Sequence, residues 1–206
     1  LDEILAAVRE QAEVLIAGQL DGLLLETYYD FEELCETLKM LRSMTDMPII
    51  AQVSMQEPGV LMNGMKLNEA LKQLEKLGAD IVGVNCRLGP YHTIQAFEQV
   101  EIPERAYLSV YPNASLLDIE EGRVVYESEV DYFARAAVEL CNEGVRLIGG
   151  CCGTTPKHIE AMKKKLAHFQ PVEKKEAKPQ REIIIREPEP HNFEPLHEKA
   201  KRARSV

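Results

Sequence analysis

The stretch VRLIGGCCGTTP, residues 145–156, contains the signals of a buried strand, a tight turn and a helix start. Its apolar beginning predicts a strand over residues 145–150. The glycines around the two cysteines let the backbone turn tightly, so that adjacent side chains can face one point. Thr155 is a favourable N-cap, and Pro156 suits the first position of a helix. We therefore expect a strand followed directly by a helix, which is the repeating unit of α/β proteins.

The same alternation of strand and helix precedes this stretch along the chain. Short apolar runs predict four earlier strands, at residues 21–26, 47–53, 79–86 and 105–110. Apolar residues at helical spacing predict helices at residues 1–17, 31–43, 68–77, 92–100, 130–142 and 156–166. Residues 119–125 predict a small hairpin inside a long loop after the fourth strand. Strands that are continuously apolar, rather than alternating, indicate a parallel sheet covered on both faces.

Two architectures of the α/β class accommodate this pattern, the (β/α)₈ barrel and the doubly wound sheet. No G-x-G-x-x-G segment follows a predicted strand. This disfavours a dinucleotide-binding fold of the doubly wound type.

Composition excludes several classes of function. The 206 residues carry a formal net charge of −10, so phosphate-rich partners such as nucleic acids and anionic membranes are disfavoured. The apolar fraction of 45% is ordinary for a globular protein, and no apolar run is long enough to span a bilayer. The start of the chain lacks the pattern of a signal peptide, and five cysteines are too sparse for a disulfide scaffold. We therefore expect a cytoplasmic protein.

Charge and proline content change near residue 168. Residues 1–166 contain 15 Lys and Arg against 27 Asp and Glu, whereas residues 167–206 contain 9 against 7. The later part also has five prolines and no glycine. This shift predicts a domain over residues 1–168 and a charged, proline-rich linker over residues 169–206 that leads towards a further C-terminal domain.

Several residues with chemical potential lie where predicted strands end, and the carboxyl ends of parallel strands meet at one edge of a sheet. They are Glu26, Asn85-Cys86, Tyr111-Pro112-Asn113 and Cys151-Cys152. Three thiolates at one point suit Zn²⁺ and leave a fourth position open, which is typical of a catalytic site. Each cysteine alone also fits a small buried apolar residue, and Cys151-Cys152 also fit a vicinal disulfide.

The other candidates have alternatives as well. Glu26 ends an apolar run, where it is either an ion-paired acid or a carboxylate that binds a substrate ammonium group. Asn113 follows Pro112 and also fits a turn. Cys35 and Cys141 lie on apolar stripes of predicted helices, where we expect packing roles, and His158 begins a helix, where we expect a cap or solvent exposure.

The segment RLIGGCCGTTPKHI, residues 146–159, resembles the hallmark segment of the homocysteine S-methyltransferase family. Residues 21–27 (DGLLLET), 83–86 (GVNC) and 111–114 (YPNA) resemble its other signatures and occur in the expected order. The resemblance covers roughly residues 1–166. The family's segments that resemble Asp-Gly-Ala-x-Gly-Thr and Thr-Asn-Thr are absent, so by this comparison the chain contains five of eight barrel strands and lacks the N-terminal ones.

Membership would imply a (β/α)₈ TIM barrel, here incomplete, that binds Zn²⁺ through Cys86, Cys151 and Cys152. It would imply that Glu26 binds the amino group of homocysteine and that Asn113 fills the fourth zinc position until the substrate arrives. The implied enzyme is a transferase of methionine biosynthesis, which methylates the homocysteine thiol to give methionine. Relatives use methylfolate, betaine or S-methylmethionine as the methyl donor.

The last residues of the sequence resemble a junction between two domains. Residues 195–206 resemble the join, in bacterial two-domain proteins, between such a methyltransferase and a methylenetetrahydrofolate-reductase-like domain. A solvated charged linker is the alternative. Two further functions also remain open from the sequence: an inactive zinc-binding fragment, and a thiol redox protein that uses Cys151-Cys152.

Overall fold

The structure, a computed structural model, describes residues 1–114, 118–120, 123–125 and 129–178. Its helices are α1 (Asp2–Ala17), α2 (Phe31–Met44), α3 (Leu67–Lys76), α4 (Pro90–Phe97), α5 (Val130–Asn142) and α6 (Pro156–Leu166). Its strands are β1 (Leu23–Tyr28), β2 (Ile49–Val53), β3 (Ile81–Asn85), β4 (Tyr107–Tyr111), β5 (Asp118–Glu120), β6 (Arg123–Val125) and β7 (Val145–Ile148). The predicted α/β alternation is confirmed.

Five strands form one fully parallel sheet in the order β1-β2-β3-β4-β7. Each strand pairs with its sequence neighbour in this sheet, and the order never reverses. A doubly wound sheet reverses at a switch point, whereas a barrel adds its strands in sequence. The architecture is therefore that of part of a (β/α)₈ barrel, with β1 and β7 as the outer strands among the residues described.

The core lies between this sheet and the helices that cover it. Asp30 begins α2 because its carboxylate accepts hydrogen bonds from the backbone N–H groups of Glu32 (2.9 Å) and Glu33 (3.0 Å). The helices then bury leucines at helical spacing, which are Leu34, Leu38 and Leu41 in α2 and Leu67, Leu71 and Leu74 in α3.

The other face of the sheet has a layer in which β3 and β4 approach very closely. Register pairs Gln52 with Gly83 and Gly83 with Ser109, so these residues share one face. The Gln52 amide donates to Ser109 Oγ at 3.0 Å across the glycine. A Cβ atom on Gly83 would lie 1.8 Å from the Ser109 carbonyl oxygen, so only glycine fits there.

Element boundaries differ from the predictions by a few residues. Helix α4 begins at Pro90 rather than residue 92, because proline fits the first turn of a helix. The hairpin predicted at residues 119–125 is confirmed as the antiparallel pair β5 and β6. No helix in the described ranges is long and apolar enough to cross a membrane.

Residues 169–178 contain no helix or strand, but they are held against the domain. The Lys175 ammonium binds Glu143 at 2.7 Å and also donates to the Phe97 carbonyl at the end of α4. The Lys178 ammonium binds Glu98 at 2.8 Å. The remainder of the predicted linker, including the segment 195–206, lies outside the described residues.

Candidate metal centre and substrate site

Three cysteines from two strand ends come together at the carboxyl edge of the sheet. Cys86 follows β3, and Cys151 and Cys152 follow β7. Their three sulfur atoms all lie within 4.8 Å of one another, and the Cys86 and Cys152 sulfurs are 3.8 Å apart. Across the part of the chain that the structure describes, no other group of three Cys, His, Asp or Glu side chains converges in this way.

The sulfur spacing fits a tetrahedral metal ion. Two thiolates at about 2.3 Å from a tetrahedral zinc ion lie about 3.8 Å apart, which is the separation of the Cys86 and Cys152 sulfurs. A disulfide would need about 2.0 Å, and all five cysteines are free thiols. The donor set and its spacing therefore suit Zn²⁺, and Cys152 is exposed, so a ligand from solvent can reach the site.

The end of β4 positions both halves of this cluster through its backbone. The Cys86 N–H donates to the Tyr111 carbonyl at 3.0 Å, and the Cys151 N–H donates to the Pro112 carbonyl at 2.9 Å. Cys86 itself has a left-handed backbone with φ of 62°, and Gly153 has φ of 77°. These turns aim the cysteine sulfurs at one another although they leave different strands.

Asn113 contacts the cluster through the backbone of Cys152. Its side-chain oxygen accepts a hydrogen bond from the Cys152 N–H at 3.2 Å, and its own N–H donates to the Leu88 carbonyl at 3.0 Å. Asn113 is buried. In this arrangement the Asn113 side chain stabilises the loop that carries Cys151 and Cys152. Its predicted role as a fourth metal ligand stays a prediction.

The environment of the cluster disfavours ionisation of the Cys151 thiol. Burial, together with the neighbouring Cys86 thiol, raises the pKa of Cys151 to about 12. The Cys151 thiol therefore resists ionisation unless a nearby cation compensates its charge. A divalent metal ion supplies that compensation, and a coordinating thiol is deprotonated outright.

Glu26 lies in β1 with its side chain exposed. Its negative charge also affects Tyr111, at the end of β4. The pKa of Tyr111 is raised mainly by burial and, to a smaller extent, by the Glu26 carboxylate. Tyr111 is the residue whose carbonyl holds Cys86, and its ring lies close enough to Gly149 that a Cβ there would be 2.9 Å from it. No salt bridge to Glu26 occurs within the described ranges, so the ion-paired alternative is not observed.

The two cysteines assigned to packing and the histidine expected to cap a helix or lie in solvent are not part of the cluster of three thiols. Cys35 and Cys141 are buried, and burial raises the pKa of Cys141 to about 11. His158 is a capping residue, because its ring nitrogen accepts from the Thr155 N–H at 3.1 Å. It is buried against Phe133 rather than exposed to solvent.

Two polar residues beside the site, Asn85 and Thr27, were given no role of their own by the sequence analysis, although Asn85 was placed at a strand end. Asn85 is 1% exposed, and its side-chain amide makes two hydrogen bonds with Thr27, at 2.7 Å and 2.6 Å. Thr27 has a left-handed backbone with φ of 63°. The sequence signal was the position of both residues inside strand-end motifs, directly beside Glu26 and Cys86.

Comparison with known proteins agrees with this geometry. A family model described as Homocysteine S-methyltransferase matches residues 1–166, and the chain belongs to that family. The protein is 32% identical to a methionine synthase of Mycobacterium tuberculosis over 170 residues, which is 80% of this chain and 14% of that protein. It is 31% identical to a betaine–homocysteine S-methyltransferase of Xenopus laevis, over 80% of this chain and 45% of that protein.

The chain thus spans less than half the length of these relatives. A solved structure, the apo form of the homocysteine methyltransferase MmuM from Escherichia coli, has a similar fold, with a TM-score of 0.65 and 24% identity. That likeness covers 80% of this chain and 57% of MmuM. The metallated form of the same protein gives a TM-score of 0.62. The fold comparison supports the assignment to part of a TIM barrel.

Proposed function

We propose that this chain carries the zinc and homocysteine site of a methyltransferase that converts homocysteine to methionine. The observation that supports this most strongly is the cluster of three free thiols, whose sulfur atoms lie within 4.8 Å of one another and of which one pair, Cys86 and Cys152, has the 3.8 Å separation of two ligands on a tetrahedral zinc ion. Cys86, Cys151 and Cys152 are the proposed zinc ligands. The family of the chain supports homocysteine as the methyl acceptor.

In the proposed mechanism these residues bind and orient the substrate. Zinc on the three sulfurs would supply a cation that accepts the homocysteine thiol as a fourth ligand and lowers its pKa. The Glu26 carboxylate, exposed and without a salt bridge among the described residues, binds the substrate ammonium group. Asn113 holds the Cys152 backbone, so that the open side of the cluster stays fixed. This positioning converts a bimolecular encounter into an oriented reaction.

The overall reaction moves one methyl group. The bond between the methyl carbon and its donor atom breaks, a bond from that carbon to the homocysteine sulfur forms, and the thiol proton is released. We propose methylfolate, betaine or S-methylmethionine as the donor class. Betaine and S-methylmethionine appear in the names of relatives of the chain, such as the S-methylmethionine–homocysteine S-methyltransferase of Pongo abelii, which is 31% identical.

We further propose the domain arrangement and location expected from the sequence. Residues 1–168 form the barrel part, and residues 169–206 form a linker towards a methylenetetrahydrofolate-reductase-like domain. The whole would work in the cytoplasm. The contacts of Lys175 and Lys178 mean that the first ten residues of this linker run along the barrel part rather than away from it.

An inactive zinc-binding fragment is a second candidate. The outer edges of β1 and β7 pair with no further strand in the described part of the chain, and a barrel closes its sheet. Size-exclusion chromatography with metal and activity assays separates the two: a compact monomer that binds zinc and transfers methyl groups argues against the fragment. The redox alternative is tested by titrating free thiols, because a chelator exposes additional thiols only if they hold a metal.

The main test compares Cys152→Ala with Cys141→Ala in the 206-residue chain. Cys152→Ala should lose zinc binding and methyl transfer from all three donors, because two sulfurs no longer complete the site. Cys141→Ala removes a buried thiol of α5 that does not belong to the cluster and should keep the zinc content of the unmodified chain. Retained zinc stoichiometry and retained methyl transfer in Cys152→Ala would refute the proposed function.

A further inference from the structure

Asn85 is a fully buried polar side chain whose hydrogen bonds lead away from the metal cluster. It is 1% exposed at the end of β3. Its side-chain oxygen accepts from the Thr27 N–H at 2.7 Å, and its amide nitrogen donates to Thr27 Oγ1 at 2.6 Å. A backbone N–H only donates, so the orientation of the Asn85 amide is fixed by Thr27.

Thr27 needs such a partner because its backbone is unfavourable. Its φ of 63° lies in the left-handed region, which a β-branched residue adopts only where its surroundings hold it there. The pairing of β1 with β2 also shifts register between Leu25 and Tyr28, on either side of this residue. The turn at Thr27 sets the direction of the strand end that carries Glu26, and Asn85 holds that turn.

A third strand end joins the same arrangement. Ser54, at the end of β2, donates its hydroxyl to the Asn85 carbonyl at 2.9 Å. Its own N–H donates to the Tyr28 carbonyl at 2.9 Å. The ends of β1, β2 and β3 are therefore connected by hydrogen bonds, and those to Thr27 and to the Ser54 hydroxyl are made by Asn85.

The Asn85 side chain contacts Thr27, whereas the contacts of the Asn85 carbonyl and of the neighbouring Cys86 N–H do not involve that side chain. The neighbouring Cys86 is held by its own N–H on the Tyr111 carbonyl, and the Ser54 contact uses the Asn85 carbonyl. Neither of these two hydrogen bonds uses an atom of the Asn85 side chain, so both remain when that side chain is shortened. Loss of the side chain therefore releases the Thr27 turn beside Glu26 while the sulfur cluster keeps its backbone contacts.

We propose that Asn85 is a positioning residue that fixes Glu26 relative to the three cysteines, and so selects a thiol that also carries an amino group. This inference rests on the proposed function. If it holds, shortening Asn85 weakens recognition of the amino end of homocysteine and leaves recognition of the sulfur end intact.

The test uses the Co²⁺-loaded chain and follows the sulfur-to-metal absorption bands during titration with two thiols. One is L-homocysteine, and the other is 4-mercaptobutanoate, which lacks only the amino group. Asn85→Ala should weaken homocysteine binding about tenfold and change 4-mercaptobutanoate binding less than twofold, because the two lost hydrogen bonds lie at Thr27. Asn85→Asp should recover homocysteine binding to within about threefold, since a carboxylate accepts from both the N–H and the hydroxyl of Thr27.

Two further variants keep the test independent of folding. Thr27→Val removes one of the two bonds and should weaken homocysteine binding by an intermediate factor of about threefold. Asn68→Ala is the matched control, because Asn68 also makes a pair of hydrogen bonds, to the N–H and the carboxylate of Glu101, on the helix layer. It should bind both thiols as the unmodified chain does.

The outcomes distinguish the two proposals. Equal weakening of both thiols in Asn85→Ala, or weakening of neither, would overturn the positioning role alone. Failure of the unmodified Co²⁺-loaded chain to bind homocysteine would overturn the proposed function. Hydrogen exchange without metal gives a separate reading: the Thr27 amide should lose protection in Asn85→Ala, and retained protection would contradict the inference.

Discussion

Gly83→Ala should separate β3 from β4 and thereby destabilise the sheet that supports the metal cluster. The new Cβ would lie 1.8 Å from the Ser109 carbonyl oxygen and 2.3 Å from its hydroxyl. Overpacking of this kind costs about 1–3 kcal/mol. The strand movement would also break the hydrogen bond between Gln52 and Ser109, which adds about 1 kcal/mol. We expect a total loss of roughly 2–4 kcal/mol in the free energy of unfolding.

Urea denaturation and thermal melting measure this loss. For a chain of this size the expected decrease in Tm is on the order of 10 °C. Gly89→Ala is the matched control, because its Cβ would meet only the Asn113 carbonyl, at 3.8 Å, and it should change stability by about 0.5 kcal/mol or less. If Gly83→Ala were as stable as Gly89→Ala, the conclusion that β3 and β4 lie too close together for a Cβ atom at residue 83 would be refuted.

Three further predictions concern the buried Cys141 thiol, the ion pair of Lys175 with Glu143, and the exposed Glu26 carboxylate. The Cys141 thiol, with its pKa raised to about 11, should label slowly with iodoacetamide at pH 8 and roughly tenfold faster with each pH unit, because only the thiolate reacts; labelling as fast as in the unfolded chain would contradict this. Lys175→Met should cost about 1–2 kcal/mol in urea denaturation, because Glu143 loses its close partner, whereas the exposed Lys174→Met should cost little; equal losses would refute the contact. Glu26→Gln should raise the KM for homocysteine about tenfold at unchanged zinc content; an unchanged KM would exclude its role.

Much of the fold could be predicted because apolar runs and helix signals are local. Thr155 and Pro156 mark the start of α6 through their own backbone preferences and need no distant partner to do so. The convergence of Cys86 with Cys151 and Cys152 was also predictable, since parallel strands bring their carboxyl ends to one edge.

The interactions that sequence reasoning missed are long-range. Asn85 and Thr27 are 58 positions apart, and no local pattern connects an asparagine to a left-handed threonine. The Lys175 ammonium contacts Glu143, 32 positions away in the sequence, whereas composition predicted only that this lysine lies in a charged, proline-rich linker. Burial of such polar groups depends on three-dimensional packing, which neither periodicity nor charge content encodes.

X-ray absorption spectroscopy of the zinc-loaded chain tests the central claim most directly. The account predicts three sulfur ligands at about 2.3 Å and one lighter ligand, and a fourth sulfur after addition of L-homocysteine. Cys152→Ala should lose this signature, and Cys141→Ala should keep it. A zinc shell dominated by nitrogen or oxygen, or a shell that homocysteine leaves unchanged, would contradict the account.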